Sequence, residues 1–114
     1  MKTIDTLKPD IVDFDLLKQC KAAILSVVPD SEVILYGSRA RADAQEFSDY
    51  DILVVVNGEV DMALEEKILD HVYPIQLESG EMFSLMMYSK SQWDSPLYRA
   101  MPLHQQVDCD GVRI

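Results

Sequence analysis

The sequence is short of positive charge, of cysteine and of long apolar stretches, and each shortage argues against a class of function. Ten Lys and Arg residues stand against twenty Asp and Glu residues, which gives the 114 residues a formal net charge of −10. A protein that binds a nucleic acid duplex gains most of its affinity by neutralising phosphates with Lys and Arg. We therefore expect no nucleic acid partner, and the acidic surface itself indicates only solubility.

Cysteine supplies no metal or redox motif. Cys20 and Cys109 lie far apart in the sequence and form no CxxC pair, which is typical of a protein from a reducing cytoplasm. The apolar runs are much shorter than the ~20 residues that a membrane-spanning helix needs. The N-terminal residues become charged too soon for a signal peptide. The sequence therefore predicts a cytoplasmic protein with no membrane partner.

The composition that remains suits one compact domain over residues 1–114. Apolar residues make up 48% of the chain, enough for a hydrophobic core. Their spacing predicts helices over about 11–28, 38–46, 62–72 and 91–99, and strands over 32–36, 52–56, 73–78 and 82–88. A hairpin turn is predicted at Ser79-Gly80-Glu81, and in the tail Val112 and Ile114 are candidates to dock on the body. The order of elements favours an α/β (α+β) fold, a mixed sheet of about four strands flanked by helices.

One short segment combines two kinds of ligand-binding feature. The strand ending at Tyr36 is followed by Gly37-Ser38. Gly-Ser between a strand and a helix presents backbone N–H groups and a hydroxyl to an anion, and glycine lets that anion approach closely. Asp49 and Asp51 begin the next strand, so their side chains point to the same face.

Two carboxylates held on one face repel each other unless a cation lies between them. Mg²⁺ prefers one or two carboxylates together with phosphate oxygens and water. An anion cradle beside such a pair therefore predicts a site for a nucleotide and Mg²⁺, with ATP or another nucleoside triphosphate as the ligand. Each half alone is common in turns and at strand ends, but the combination is far more specific.

The segment Gly37-Ser38-Arg39-Ala40-Arg41, followed by Ser48-Asp49-Tyr50-Asp51-Ile52-Leu53-Val54, resembles the signature of the DNA polymerase β-type nucleotidyltransferase superfamily. Within it, the chain is most similar to the minimal nucleotidyltransferases of bacteria and archaea. The signature spans about twenty residues, and the length and element order of the rest also fit.

The resemblance implies that Gly37 and Ser38 hold the triphosphate and that Asp49 and Asp51 ligate Mg²⁺. The chemistry that it implies is attack of an acceptor hydroxyl on the α-phosphate, with pyrophosphate as the leaving group. Two metal ions would stabilise the attacking and the leaving oxygen.

Arg39 and Arg41 match the arginines that follow Gly-Ser in the family, so the resemblance makes them nucleotide-binding residues. Their charge suits phosphate oxygens. Surface ion pairs with Asp43 or Glu46 are an equally good interpretation, and the sequence leaves both open.

The chain departs from the family pattern at three places. Ala42 stands where many relatives have glycine, and we expect it at a helical position where a methyl group does no harm. Tyr50 replaces an aliphatic residue and is expected to pack away from the metal face. The third departure concerns the later strand, where active members carry a third carboxylate: residues 83–88 contain none.

Glu78 is the better candidate for that missing catalytic acid, and Glu81 is the alternative. An exposed hairpin residue is the competing interpretation of Glu78. Loss of a general base costs about 10²–10⁴ in rate, so the third carboxylate bears directly on activity.

Two functions follow. The first is a Mg²⁺-dependent enzyme that transfers a nucleoside monophosphate, AMP by preference, from a nucleoside triphosphate to a hydroxyl of a protein or small molecule. The resemblance also implies an antitoxin role towards a helical HEPN-type partner protein, and a homodimer is a further way to complete so small a fold. The second function is a catalytically degenerate module that acts by binding a nucleotide or a partner protein. A flavodoxin-like receiver domain would also use acids and Mg²⁺, but the predicted hairpin argues against it.

Overall fold

The computed structural model describes residues 1–10, 12–43 and 48–114. In these ranges five strands form a single sheet: β1 Lys2–Thr3, β2 Glu32–Tyr36, β3 Tyr50–Val56, β4 Phe83–Ser89 and β5 Val112–Arg113. The helices are α1 Phe14–Val27, α2 Ser38–Arg41, α3 Met62–Ser79, α4 Lys90–Trp93, α5 Pro96–Arg99 and α6 Pro102–Asp110, with a 3₁₀ turn over Ile4–Thr6.

The sheet has the order β1-β5-β2-β3-β4 and mixed strand directions. β3 runs antiparallel to β2 and parallel to β4, so α3 is the crossover helix that a parallel connection requires. The predicted mixed sheet flanked by helices is confirmed; the short outer strands β1 and β5 bring it to five. The antiparallel β2–β3 pair also rules out the all-parallel sheet of a receiver domain.

Helices cover both faces of β3, which explains why its residues from Ile52 to Val56 are apolar without alternation. Ile52, Val54 and Val56 belong to the core shared with α1 and α3. Leu53 and Val55 face the other way, towards the smaller helices α4 and α6. β3 is thereby fixed at its C-terminal end on both faces, and Asp49 and Asp51 lie at its N-terminal end.

The predicted strand over 73–78 and the hairpin after it are wrong, because α3 continues to Ser79. Tyr73, Ile75 and Leu77 alternate with polar residues or proline as they would in a strand. In the structure, Tyr73 and Leu77 instead lie exposed on the outer side of the helix. Gly80 does not turn a hairpin: it ends α3 with φ +75°, and its N–H donates to the Gln76 carbonyl.

Other element boundaries shift for local reasons. α1 begins after Asp13, whose carboxylate accepts the Leu16 N–H; the predicted start at Ile11 lies outside the described residues. The predicted helix over 91–99 is two short helices, which begin after Ser89 and Ser95. α2 ends at Arg41, and the predicted continuation over 44–46 falls outside the described residues.

The tail is more ordered than its pattern indicated, since it forms α6 and β5 and buries Val112 as expected. Cys20 is buried, and burial raises the pKa of its thiol to about 12, which makes it unreactive. Within the described ranges no helix is both long enough and apolar enough to cross a membrane.

Candidate active site

The site lies where β2 ends and β3 begins, because the antiparallel register sets Tyr36 opposite Asp51. Asp51 is half-buried and points to the same face of the sheet as Leu53. Asp49 precedes it by two residues, so both carboxylates are on one face if the extended backbone continues. The chain leaves β2 through Gly37 directly beside this pair.

Gly37 is held against Asp51 in a way that no other residue permits. Its backbone has φ +79° and ψ −157°, a region that only glycine occupies readily. A Cβ on Gly37 would lie 2.3 Å from Asp51 Oδ2, so a side chain would displace the carboxylate. The next turn is closed by the Ala40 and Arg41 N–H groups, which donate to the Gly37 carbonyl.

The carboxylates repel each other in the folded chain. The pKa of Asp51 is raised, first by burial and then by the negative charge of Asp49, while the positive charge of Arg41 acts in the opposite direction. Across the β2–β3 pair, burial raises the pKa of Tyr36 to about 12, with the charge of Asp51 contributing. The phenol therefore remains protonated beside the carboxylate at neutral pH.

These observations fit a divalent cation. Asp49 and Asp51 offer oxygen donors on one face, and burial and the charge of Asp49 disfavour the ionised form of Asp51. A hard cation such as Mg²⁺ would stabilise that ionised form. Among the residues that the structure describes, no group of three or more His, Cys, Asp or Glu side chains could enclose a metal ion. A cation here would therefore rely on two protein carboxylates and complete its coordination with oxygens of a ligand or water.

The two arginines of the signature point to different places. Arg39 is buried and donates to the Ser48 carbonyl from Nε at 3.3 Å and from Nη2 at 2.9 Å. Its guanidinium also lies over the Tyr50 ring at 4.6 Å from the centroid and forms a 3.7 Å ion pair with Glu81. Arg39 thus anchors the peptide that leads into Asp49.

Arg41 lies close enough to Asp51 for its positive charge to favour the ionised form of that carboxylate. It forms ion pairs with Asp43 at 3.1 Å and with Asp110 at 3.0 Å. The surface ion pair with Asp43, which the sequence offered as an alternative to phosphate binding, is therefore present. Glu46, the other acid considered as a partner, lies outside the described residues. Because Arg41 remains partly exposed, its guanidinium can exchange these partners for a phosphate.

The structure explains two of the residues that depart from the family pattern, Tyr50 and Ala42. Tyr50 is buried against Phe83, as predicted, but its hydroxyl also accepts the Asp13 N–H at the start of α1. Ala42 is not helical: it ends α2 with φ +65°, which explains why glycine suits this position. A non-glycine residue there carries about 1–2 kcal/mol of strain.

The neighbouring strand supplies no third acid. Ser84 is the residue of β4 paired with Asp51, and no charged residue occurs between Phe83 and Ser89. Glu78 lies exposed in the last turn of α3, not at the end of a strand, and Glu81 is engaged with Arg39. The catalytic role of Glu78 stays a prediction.

Comparison with known proteins identifies a family, a relative and a structural neighbour. The family model of the nucleotidyltransferase domain matches residues 17–86. A protein of Methanocaldococcus jannaschii named "Putative protein adenylyltransferase" is 30% identical over 79 residues, which cover 68% of this chain and 80% of that protein. The solved structure described as "Crystal structure of the toxin-antitoxin with AMP-PNP" superposes with a TM-score of 0.61 at 16% identity, over 90% of this chain and 72% of that one. At that identity the superposition establishes the fold alone.

Proposed function

The chain belongs to the nucleotidyltransferase domain family, and we propose that this enzyme transfers AMP from ATP, with Mg²⁺, to a hydroxyl group of a protein or a small molecule. The observation that carries the proposal is the contact of the Gly37 backbone with the Asp51 carboxylate. It puts a turn suited to phosphates next to two carboxylates suited to a cation. A nucleoside triphosphate with Mg²⁺ is the ligand that needs both.

In this proposal Gly37 and Ser38 hold the triphosphate through their backbone and the serine hydroxyl. Asp49 and Asp51 hold Mg²⁺, which when bound neutralises charge on the phosphates and on the leaving pyrophosphate. Tyr36 supplies a protonated hydroxyl beside Asp51. The reaction is in-line: the acceptor oxygen forms a bond to the α-phosphorus, the bond to the bridging oxygen breaks, and the acceptor proton passes to a base.

The arginines take different roles. Arg41 is the candidate phosphate ligand, because it is partly exposed on the Asp51 side. Arg39, proposed from the sequence as a second nucleotide-binding residue, has its guanidinium turned to Ser48 and Tyr50. We assign it an indirect role in nucleotide binding, because it fixes the position of Ser48 and Tyr50 on either side of Asp49.

The choice of AMP and of a protein acceptor draws on the relatives. One is named a protein adenylyltransferase, and the other is a toxin–antitoxin complex with an ATP analogue. The family resemblance, and not these names, suggests a HEPN-type helical toxin as the acceptor and this chain as its antitoxin. A homodimer is the alternative source of the surface that a small catalytic domain needs around its acceptor.

Calorimetric titration tests the nucleotide site. We expect ATP to bind with Mg²⁺ and to bind much more weakly with EDTA, and we expect Asp49→Asn/Asp51→Asn to remove the metal-dependent part. The matched control is Asp61→Asn, which removes one carboxylate at the start of α3, remote from the site at the other end of β3. The proposal fails if folded wild-type protein binds no nucleoside triphosphate; a module that works by docking to a partner would then remain.

A second experiment concerns the missing acid. If Glu78 is the general base, Glu78→Gln should lower kcat by about 10²–10⁴ with little change in nucleotide affinity. Glu81→Gln is the comparison, because it removes the ion pair with Arg39 and should act on nucleotide binding and stability more than on kcat. Equal activity of Glu78→Gln and wild type would exclude Glu78 as the base and leave Glu81 or a group of the acceptor.

A further inference from the structure

β4 is an edge strand that lacks charge, proline and a bulge. It ends the strand order of the sheet described here, and its seven residues, Phe83–Ser89, include no charged residue and no proline. Its register with β3 is unbroken from the Tyr50–Phe83 pair to the Val56–Ser89 pair, so no bulge twists it away. Long uncharged edges of this kind are templates for pairing with another strand.

The direction of its backbone groups is fixed by two hydrogen bonds. The Tyr50 N–H donates to the Met82 carbonyl, so Met82 and every second residue after it face β3. The residues in between face outwards, and the Phe83 N–H confirms this because Gln76 Oε1 of α3 accepts it at 2.8 Å. The N–H and C=O groups of Leu85 and Met87 therefore point away from β3, in the plane of the sheet, at the middle of its open edge.

An apolar stripe on α3 runs beside this edge. Met62, Leu69, Tyr73 and Leu77 are spaced by seven, four and four residues, which puts them on one side of the helix. They are exposed by 84%, 45%, 56% and 67% respectively. The stripe lies next to the side of α3 from which Gln76 reaches β4, so the bare edge and the apolar stripe form one surface. We call this surface the β4–α3 surface.

We propose that the β4–α3 surface is a homodimer interface, in which β4 pairs antiparallel with β4 of a second copy about a two-fold axis at Met86. This register sets Leu85 opposite Met87 of the second copy. Both have outward-facing groups, so each such pair exchanges two hydrogen bonds. The sheet then continues through both copies without bringing like charges together across the strands.

The position of the stripe favours this register. Met86 is three residues beyond Phe83, or about 10 Å at ~3.3 Å per residue. The same distance back along α3 from Gln76 is about seven residues at 1.5 Å each, which reaches Leu69. Leu69 lies in the middle of the stripe from Met62 to Leu77, so a two-fold axis at Met86 also brings the stripes of both α3 helices together along their length.

The response to salt distinguishes a second copy from a basic partner as the occupant of this surface. The strand at the centre of the surface carries no charge that would select an oppositely charged strand. Glu66 lies within the stripe, four residues after Met62 and three before Leu69, and Asp70 lies beside it. Both would repel their equivalents in a homodimer. The homodimer should therefore become tighter as salt screens them, whereas a complex with a basic partner would weaken.

The dimer would also reach the active site, a consequence that rests on the proposed function while the dimer itself does not. Ser84 is paired with Asp51 in β3, and the register sets Tyr88 of the second copy opposite Ser84 on the same face. The second copy thus supplies a side chain at the side of the site where the chain itself leaves the sheet uncovered.

Disulfide trapping tests the register. In a Cys109→Ser background, which removes the exposed thiol, Met86→Cys puts two cysteines opposite each other at about 4.5 Å between Cα atoms, within the range of a disulfide. We expect rapid oxidation to a covalent dimer. Ser84→Cys is the matched control: two residues along the strand, it faces Tyr88 of the second copy and should cross-link far more slowly. Equal cross-linking of both variants would overturn the register.

Analytical ultracentrifugation tests the dimer without cysteines. Wild-type protein should sediment at twice its 13.0 kDa mass at high concentration, and more of it should do so as salt rises. Tyr73→Glu should raise the dissociation constant about tenfold or more, because it sets a charge in the stripe. Leu97→Glu, at an apolar residue on α5 that is 73% exposed, should not. A monomer at all concentrations would overturn the proposal whether or not ATP binds.

Discussion

Gly37→Ala should abolish Mg²⁺-dependent nucleotide binding, although it adds only one methyl group. The added Cβ would lie 2.3 Å from Asp51 Oδ2 and 3.1 Å from its Cγ, so either the Gly37 turn or the Asp51 side chain has to move. A displacement of about 1 Å at a reacting group can cost on the order of 10²-fold in rate. We expect losses of at least that size in ATP affinity, measured calorimetrically, and in turnover.

Gly80→Ala is the matched control because Gly80 has nearly the same φ, +75°, with nothing within 4 Å of the added Cβ. Both variants carry the strain of a non-glycine residue at positive φ, about 1–3 kcal/mol, and both should unfold at lower denaturant concentration than wild type. Only Gly37→Ala should lose binding. If the two bind ATP equally well, the close approach of Gly37 to Asp51 has no function in the site.

The elements that contact each other across this site could be predicted because they follow one another in the chain. A strand that ends at Gly37-Ser38 and another that begins at Asp49 are adjacent as soon as they pair antiparallel. The partners of Arg39 could not be predicted in the same way. Its contacts with the Tyr50 ring and the Ser48 carbonyl depend on how α2 packs against the residues at the start of β3, and local patterns carry no information on that.

The second half of the fold was harder to predict because one helix carries two apolar patterns. Ile68 and Val72 form the buried side of α3, whereas Tyr73 and Leu77 belong to the exposed stripe. Together the two patterns produce the alternation that indicated a strand over 73–78. If the stripe contacts a second copy, the strand prediction failed because residues of an interface were interpreted as residues of the core. The family resemblance contains no information about such an interface.

Asp51→Asn should make the metal-free protein more stable while it removes the metal site. In the folded chain, burial and the charge of Asp49 together outweigh the attraction of Arg41, and the pKa of Asp51 lies above its ordinary value of 3.8. Between these two pKa values the folded state holds more protons than the unfolded state. The free energy of unfolding therefore falls as pH rises through this range and stays lowered at neutral pH. Asp51→Asn has no carboxyl group to ionise at this position, so its free energy of unfolding does not fall in this way.

With Mg²⁺ bound, wild type should become more stable than Asp51→Asn. At a concentration one hundred times its dissociation constant, a ligand adds about 2.7 kcal/mol to the free energy of unfolding, and wild type should gain this while Asp51→Asn gains little. Urea denaturation at pH 7 with EDTA and with Mg²⁺, in the presence of a nonhydrolysable ATP analogue, measures both effects. If wild type is the more stable protein in EDTA, burial and the charge of Asp49 do not together disfavour the ionised Asp51 as described. Asp51 would then be held by an interaction other than its place in a cation site.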